Sequence, residues 1–493
     1  MSQIEVPIAA LGLKKNIDQT VPDKALSADH VLGSGQALGN DQALSNGTTR
    51  KVGVTTMGCK VNTFESELIS ETLKDDNWSV VPATEHADMY IINTCTVTQE
   101  ADRQARREVR KVIKTNPEAM VVVTGCYAQM DANACAAIPG VDLVVGNDKK
   151  LDIHQLLPKL EAGELPKVLV GDLNEHVSLP EHILTHYDGH TRAFVQIQQG
   201  CDQGCTFCII HVARGPSRSL APTLIRRQVE RLALNDYPEI VICGVDLGSY
   251  GEDFSENIDI QRFDLVELVK MLLELKVETN TDFRIRLSSI DPAHITDELI
   301  ELMANEPRMC PHLHLSLQSG STLILKRMKR RYDRDHVYER IQSLRTKVPE
   351  LVLSADVMVG FPTETEEHYL ETEQTVIDLD IAFPHVFSYS EREGTPAARI
   401  PHQKQVLISD RKQRSARLRK TAEQLQKTLL KSRLGKTAWV LPETNKNGTI
   451  KARSEDYLNV HIQQAANQEI ALGQWVKVIY ESMDKQFLQA SVC

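Results

Sequence analysis

From Lys51 onward, short apolar runs alternate with longer charged stretches of helical periodicity, and this alternation decides the class of fold. KVGVTTM, MYIINT, AMVVVTG and LVVG read as strands, with ESELISETLK and ADRQARREVRKVIK as amphipathic helices between them. Such β–α units predict a parallel, doubly wound α/β domain of flavodoxin or Rossmann type. A second series follows, with AFVQIQQ, EIVICGV, FRIRLSS, HLHLSL, LSADVMVG and FPHVFSY as strands. Six β/α units predict a barrel or an open part of one, with functional residues at the strand carboxyl ends. Towards the end, TAWVLPE, YLNVHIQ, QWVKVIYE and FLQASV alternate apolar and polar residues, the pattern of a small antiparallel β-barrel.

The expected division is a flexible extension over 1–50, a sheet domain over 51–165, a linker over 166–190, a barrel over 191–425 and the small barrel over 430–493. The extension contains no aromatic residue and carries the run GSGQALGNDQALSNG, too polar to bury a core. No apolar stretch is long enough for a membrane span, and no secretory signal is visible, which points to a cytoplasmic protein without membrane attachment. In a reducing compartment the ten cysteines indicate metal binding or catalysis rather than disulfides. The net charge of −11 speaks against a nucleic-acid partner only on average, because a mean hides local patches.

Six of the cysteines form two sets. Cys201, Cys205 and Cys208 make a C-x3-C-x2-C loop directly after AFVQIQQ. Thiolates there suit zinc or an iron–sulfur cluster. Three ligands leave one position of a cubane open for chemistry, whereas His211 as a fourth ligand would complete a structural zinc site. Cys59, Cys95 and Cys126 each fall just past a strand of the first sheet. Ligands in such sheets bind outside the carboxyl ends of the strands, so these three can converge at one edge. Cys135, Cys243, Cys310 and Cys493 belong to no motif.

The stretch GCDQGCTFCIIHVARGPSRS resembles the signature of radical S-adenosylmethionine (SAM) enzymes, specifically of the methylthiotransferases. TTMGCKVNTFESE, INTCTVTQEADRQARR and VVTGCYAQ are similar to the three cysteine motifs of that family's amino-terminal domain. The resemblance runs from Lys51 to the end of the chain. It implies two [4Fe–4S] clusters: one on Cys201, Cys205 and Cys208 that binds SAM, and one on Cys59, Cys95 and Cys126 for sulfur transfer. His211 departs from the proline common at that place. The resemblance also lays SAM across the barrel top, where Gly244, Asp246, Ser288, Gln318 and Asp356, with Gly360, are candidate cofactor contacts. Each is equally open to a purely structural role. Arg214 and Arg218 are candidates for the SAM carboxylate or a substrate phosphate, or for a salt bridge to a neighbouring acid.

Three basic stretches stand out: ADRQARREVRKVIK, LKRMKRRYDR and the run from Lys404 to Lys436. Such strips are an electrostatic footprint for phosphate backbones. The terminal barrel resembles the RNA-binding TRAM domain, and Trp439, Tyr457 and Trp475 could stack on bases or fill its core. GCKVNTFESE, HLHLSLQSGSTLILKRMKRRYDR and FSYSEREGTPAARIP look like the branch acting on N6-threonylcarbamoyladenosine of tRNA. The alternatives are the branches acting on N6-isopentenyladenosine of tRNA or on a ribosomal-protein aspartate. The implied reaction is methylthiolation at C2 of adenosine 37 in the anticodon loop, with an electron donor such as flavodoxin. The base would have to leave its stack to react.

Overall fold

Alternate residues of the first apolar runs face opposite ways, and each face acquires its own core. In the computed structural model, which describes residues 49–175, 183–254, 263–277, 282–463 and 469–493, these runs form one parallel sheet. The extension expected over 1–50 lies almost wholly outside the described residues. The elements are β1 (Arg50–Thr56), α1 (Lys60–Asp75), β2 (Trp78–Val81), β3 (Met89–Thr94), α2 (Gln99–Thr115), β4 (Met120–Gly125), α3 (Cys126–Met130), α4 (Ala132–Ala136), β5 (Leu143–Val145), α5 (Ile153–Glu161) and β6 (Val168–Leu169). The strand order is β2-β1-β3-β4-β5-β6. In β3, Tyr90 and Ile92 enter one core while Met89 and Ile91 enter the other, the period of two that a doubly covered strand requires. Helix α2 shows how the helices attach. Thr98 caps it by accepting from the Ala101 amide, and Ala105, Val109 and Val112 form its single buried stripe.

The second series comprises β7 (Ala193–Gln199), α6 (Ile210–Arg214), β8 (Arg218–Ser219), α7 (Pro222–Leu234), β9 (Glu239–Gly244), α8 (Leu265–Leu273), β10 (Arg284–Leu287), β11 (Ser289–Ile290), α9 (Asp297–Asn305), β12 (His312–Gln318), α10 (Thr322–Arg327), α11 (Arg334–Lys347), β13 (Val352–Val359), α12 (Glu366–Asp378), β14 (Phe383–Ser388) and α13 (Ile408–Arg433). Its strands run β8-β7-β9-β10 and β11-β12-β13-β14, parallel except for the short β8, and an isolated Ile285–Met309 bridge joins the two halves. Among the described residues β7 and β14 do not pair, so this is a β/α barrel left open on one side. The remaining strands, β15 (Thr437–Lys446), β16 (Thr449–Ser454), β17 (Asn459–Gln463), β18 (Val476–Asp484) and β19 (Phe487–Val492), close into a five-stranded barrel. Among the described residues no helix is long and apolar enough to cross a membrane.

The small barrel docks on the large one through aromatic side chains. The Trp475 indole donates to the Pro238 carbonyl at 3.1 Å under the Arg284 guanidinium, and Tyr457 stacks on His312 with ring centroids 4.6 Å apart. These two rings are therefore engaged within the protein. Trp439 stays 40 % exposed.

Part of the charge in two of the three basic stretches is answered within the protein. In α13, Arg414 pairs with Glu364, Arg417 with Glu366 and Glu373, and Arg419 donates to the Val386 carbonyl. In LKRMKRRYDR, Arg330 pairs with Asp291 and Arg331 with Asp246. Exposed cations remain on all three: Arg103, Arg107, Arg110, Lys111 and Lys114 of α2, Lys412, Lys420, Lys427 and Lys431 of α13, and Lys326, Arg327 and Lys329.

Candidate active site

Because β1, β3 and β4 are neighbours in the sheet, Cys59, Cys95 and Cys126 emerge side by side at its carboxyl edge. Glycines make this convergence possible. Gly58 has φ +92°, and a Cβ there would lie 2.7 Å from the Cys95 Cβ; Gly125 also has φ +92°, and its Cβ would lie 2.5 Å from the Thr94 backbone. Burial raises the Cys95 thiol to about 11, with the neighbouring Cys126 and Cys59 adding to the rise. Behind Cys126 the Asn147 amide donates weakly to the sulfur at 3.9 Å and more strongly to the Ala213 carbonyl at 2.6 Å.

That second bond crosses from the sheet domain to the barrel, and an ion cluster crosses beside it. The Arg214 guanidinium is wholly buried and grips both Glu65 oxygens at 2.9 and 3.1 Å, with further bonds to Asn62 and Gln199. Lys150 reaches the same carboxylate at 2.5 Å. Arg214 is thus paired with Glu65 and pins the two domains together. Burial opposes its charge, but the Cys126 sulfur and Glu65 outweigh that and hold it well above its ordinary value. The cluster holds two cations and one anion, and its positive excess faces the sulfurs of Cys126 and Cys59. A thiolate-ligated, anionic group fits there. Arg218 donates to the Arg214 carbonyl at 2.8 Å and backs the same arrangement.

The second cysteine loop is held by donors aimed at its sulfurs. Arg330 donates to the Cys205 sulfur at 3.1 Å, and the Ile210 amide to that of Cys208 at 3.4 Å. Cys201 lies 3.7 Å from Asp246, whose carboxylate also takes Arg331 at 2.6 Å and Ser249 at 3.0 Å. Burial lifts Cys201 to about 12 and Cys208 to about 11, so these thiols are protonated and poor nucleophiles unless a metal displaces the proton. Zinc at about 2.3 Å from each thiolate would draw its ligand atoms to within about 4 Å of one another. Among the described residues the one set of three ligand-type atoms that lie within 4.8 Å of one another belongs to His314, Asp356 and His385. In neither cysteine set do all three sulfurs lie within that distance of one another, so neither is gathered as the ligands of a single ion are.

The candidate cofactor contacts separate in the structure. Gly244 ends β9 and Asp246 follows it beside the Cys201 loop; the amides of Val245 and Asp246 both donate to the Gln198 side chain, at 3.0 and 2.9 Å. Ser288 ties β10 to β9 through its amide on the Ile242 carbonyl at 2.9 Å. Gln318 sits at φ +63° with a buried side-chain oxygen that has no partner among the described residues, an acceptor suited to an ammonium or hydroxyl. Asp356 points elsewhere, into a cavity of about 590 Å³ where sheet domain, large barrel and small barrel meet. Cys59, Cys95, Arg286, His312, Arg453 and Tyr457 are among its other lining residues. There Asp356 lies 3.3 Å from His314 and 3.5 Å from His385, and these imidazoles hold its carboxyl well below the ordinary range against the opposing effect of burial.

The sequence reading did not single out Glu65, Lys150, Arg330, His312, His385 or Arg453. One signal was present: His312, His314 and Ser316, then Ser354 and Asp356, place polar residues at every second position of consecutive strands. Inside a barrel such a row lines the lumen.

Residues 51–146 match the uncharacterized protein family UPF0004, and residues 195–376 match the Radical SAM superfamily. The chain is similar to the threonylcarbamoyladenosine tRNA methylthiotransferase MtaB of Rickettsia prowazekii, with 38 % identity over 438 residues, 88 % of this chain and 96 % of that one. It is 35 % identical to the MtaB of Bacillus subtilis, across 87 % of this chain and 93 % of that one. To the tRNA-2-methylthio-N(6)-dimethylallyladenosine synthase of Staphylococcus epidermidis it is 31 % identical, across 80 % and 76 %. The fold is similar to that of the radical SAM methyltransferase TsrM of Kitasatospora setae, with TM-score 0.53 at 14 % identity, covering 71 % of this chain and 77 % of that one. Two three-cysteine sets on either side of one domain interface, on a chain this close to both kinds of tRNA-modifying relative, place it in the radical SAM methylthiotransferase family.

Proposed function

We propose that this enzyme converts N6-threonylcarbamoyladenosine of tRNA, at position 37, to its 2-methylthio derivative, drawing electrons from a flavodoxin-like donor. The observation that carries the reading is the placement of both cysteine sets against the same interface, with a cavity large enough for a base opening onto Cys59 and Cys95. Residues 51–165 would form the sulfur-transfer domain, 191–425 the SAM-cleaving barrel and 430–493 the RNA-binding barrel, with 166–190 as linker.

With Cys201, Cys205 and Cys208 holding one [4Fe–4S] cluster and Cys59, Cys95 and Cys126 the other, the bound groups supply SAM cleavage and sulfur, respectively. The protein's own part is positioning. Arg330 and the Ile210 amide are already aimed at the sulfurs, so the loop needs little rearrangement to present thiolates. Asp246, fixed by Arg331 and Ser249, and Gln318, with its unpartnered oxygen, stand ready for the polar groups of SAM. The lumen of the barrel, polar on His314, Asp356 and His385, receives the splayed base and shields it from solvent.

Nucleoside mass spectrometry of tRNA from cells with and without the gene tests the reading. Loss of the 2-methylthio form, with unthiolated N6-threonylcarbamoyladenosine accumulating, is expected; loss of the isopentenyl analogue instead would transfer the enzyme to the other branch. In the purified protein, Cys95→Ala should lower iron from about eight to about four per chain and abolish thiolation while SAM cleavage persists. A Cys95→Ala enzyme that still thiolates would refute the role of the first cysteine set.

A further inference from the structure

One wall of the cavity carries more positive charge than the protein itself neutralises. Lys60, Arg192, Arg286 and Arg453 all line it. Two carboxylates answer them. Glu443 takes Arg192 at 2.8 Å, and Glu239 takes Arg192 at 3.7 Å and Arg286 at 2.7 and 2.9 Å. The third guanidinium nitrogen of Arg286 is buried without a partner, on a residue only 2 % exposed. Arg453 gives one long bond, 3.4 Å, to the Tyr457 carbonyl; its Nε is also buried and unpartnered, and among the described residues it makes no ion pair. The remaining acid of the cavity, Asp356, is flanked by His314 and His385.

Tyr457 marks the centre of this wall. It adopts φ +73°, a left-handed conformation costly for a bulky side chain. Its ring lies against the guanidiniums of Arg453 at 4.5 Å, Arg286 at 4.8 Å and Arg192 at 5.5 Å, with His312 stacked behind it. Burial alone would raise its phenol, yet Arg192 and Arg453 bring it below its ordinary value, a second sign of uncompensated positive charge. Buried cations left unpaired are unfavourable, so the wall is built for an anion that arrives with the substrate.

We propose that this wall binds the free carboxylate of the N6-threonylcarbamoyl group, with Arg453 as its principal partner and Arg286 Nη1 and Lys60 beside it. The inference rests on the reading of the substrate given above and adds the means of selection. An isopentenyl substituent carries no charge and would leave the same cations desolvated and unpaired. A site built to bond a polar group rejects an analogue that lacks it more strongly than an apolar pocket rejects a shape. A backbone phosphate of the RNA offers similar chemistry, and the two sources respond differently to the chemistry of the base.

The test is anaerobic binding of the cluster-loaded protein to anticodon stem-loops that carry threonylcarbamoyladenosine, its methyl ester, isopentenyladenosine or plain adenosine at position 37. The wild type should prefer the free acid to the ester. Arg453→Gln should weaken binding of the free acid by ~10-fold and leave the other three loops unchanged, while Arg453→Lys restores most of the loss. Iron content and melting temperature establish that each variant is folded. Equal weakening on all four loops would identify a phosphate site and overturn the proposal, as would no change on any. If the wild type thiolates the isopentenyl loop and leaves the threonylcarbamoyl loop untouched, the substrate reading itself fails, whatever Arg453 does.

Discussion

His312 is held where it cannot readily ionise. Its ring lies between Tyr457 and the Ser354 hydroxyl, which it meets at 3.0 Å. Burial, then Arg286, His314, Lys60 and Arg453, drive its pKa well below the ordinary value. In the unfolded chain the same imidazole titrates near 6.5, so as pH falls below that point the unfolded state takes up a proton that the folded state refuses. Stability is therefore full above about 6.5 and declines in acid. Urea melts should show wild type losing roughly 1.4 kcal/mol more than His312→Gln between pH 7.5 and 5.5. Parallel profiles for the two proteins would refute the assignment. The residue was hard to pick out from HLHLSL, where alternation reveals a strand and nothing states which face meets a lumen.

At the scale of elements the sequence was more informative. Six barrel strands and four strands of the sheet stand where apolar runs predicted them, because burial on both faces leaves a continuous apolar signature. The ends of β1, β3 and β4 carry the three cysteines because adjacency in a parallel sheet follows from the β–α–β connection. Basic runs were only partly legible for a physical reason: an arginine facing a helix end, a thiol or a buried carboxylate is written with the same letter as one facing water. Helix α2 offers a row that can be tested. Arg107, Arg110 and Lys114 are exposed and make no ion pair among the described residues. Replacing all three by glutamine should weaken tRNA binding equally for modified and unmodified molecules, and flatten its dependence on log salt by about 2–3 units. Folding stability should change by less than about 0.5 kcal/mol. An unchanged salt slope would move the RNA to another face.

Across the whole molecule, the decisive contact joins residues 149 positions apart, Glu65 and Arg214. No local pattern announces such a pair; it exists only once the sheet domain and the barrel have met. Removing the shared carboxylate leaves Arg214 and Lys150 charged and dry side by side, so Glu65→Leu should cost about 3–5 kcal/mol in chemical denaturation. Replacing Glu65, Lys150 and Arg214 together by apolar residues should cost much less. If the single and triple variants are equally unstable, the charges are not what hold the interface. The same pin bears on how such an enzyme can be inherited. Cut between Leu169 and Ala193, the gene would yield one fragment bearing Glu65 and Lys150 and another bearing Arg214, whose guanidinium would lose the carboxylate that pairs with it. A replacement for either half would have to bring the matching charge, so the two halves are constrained to change together.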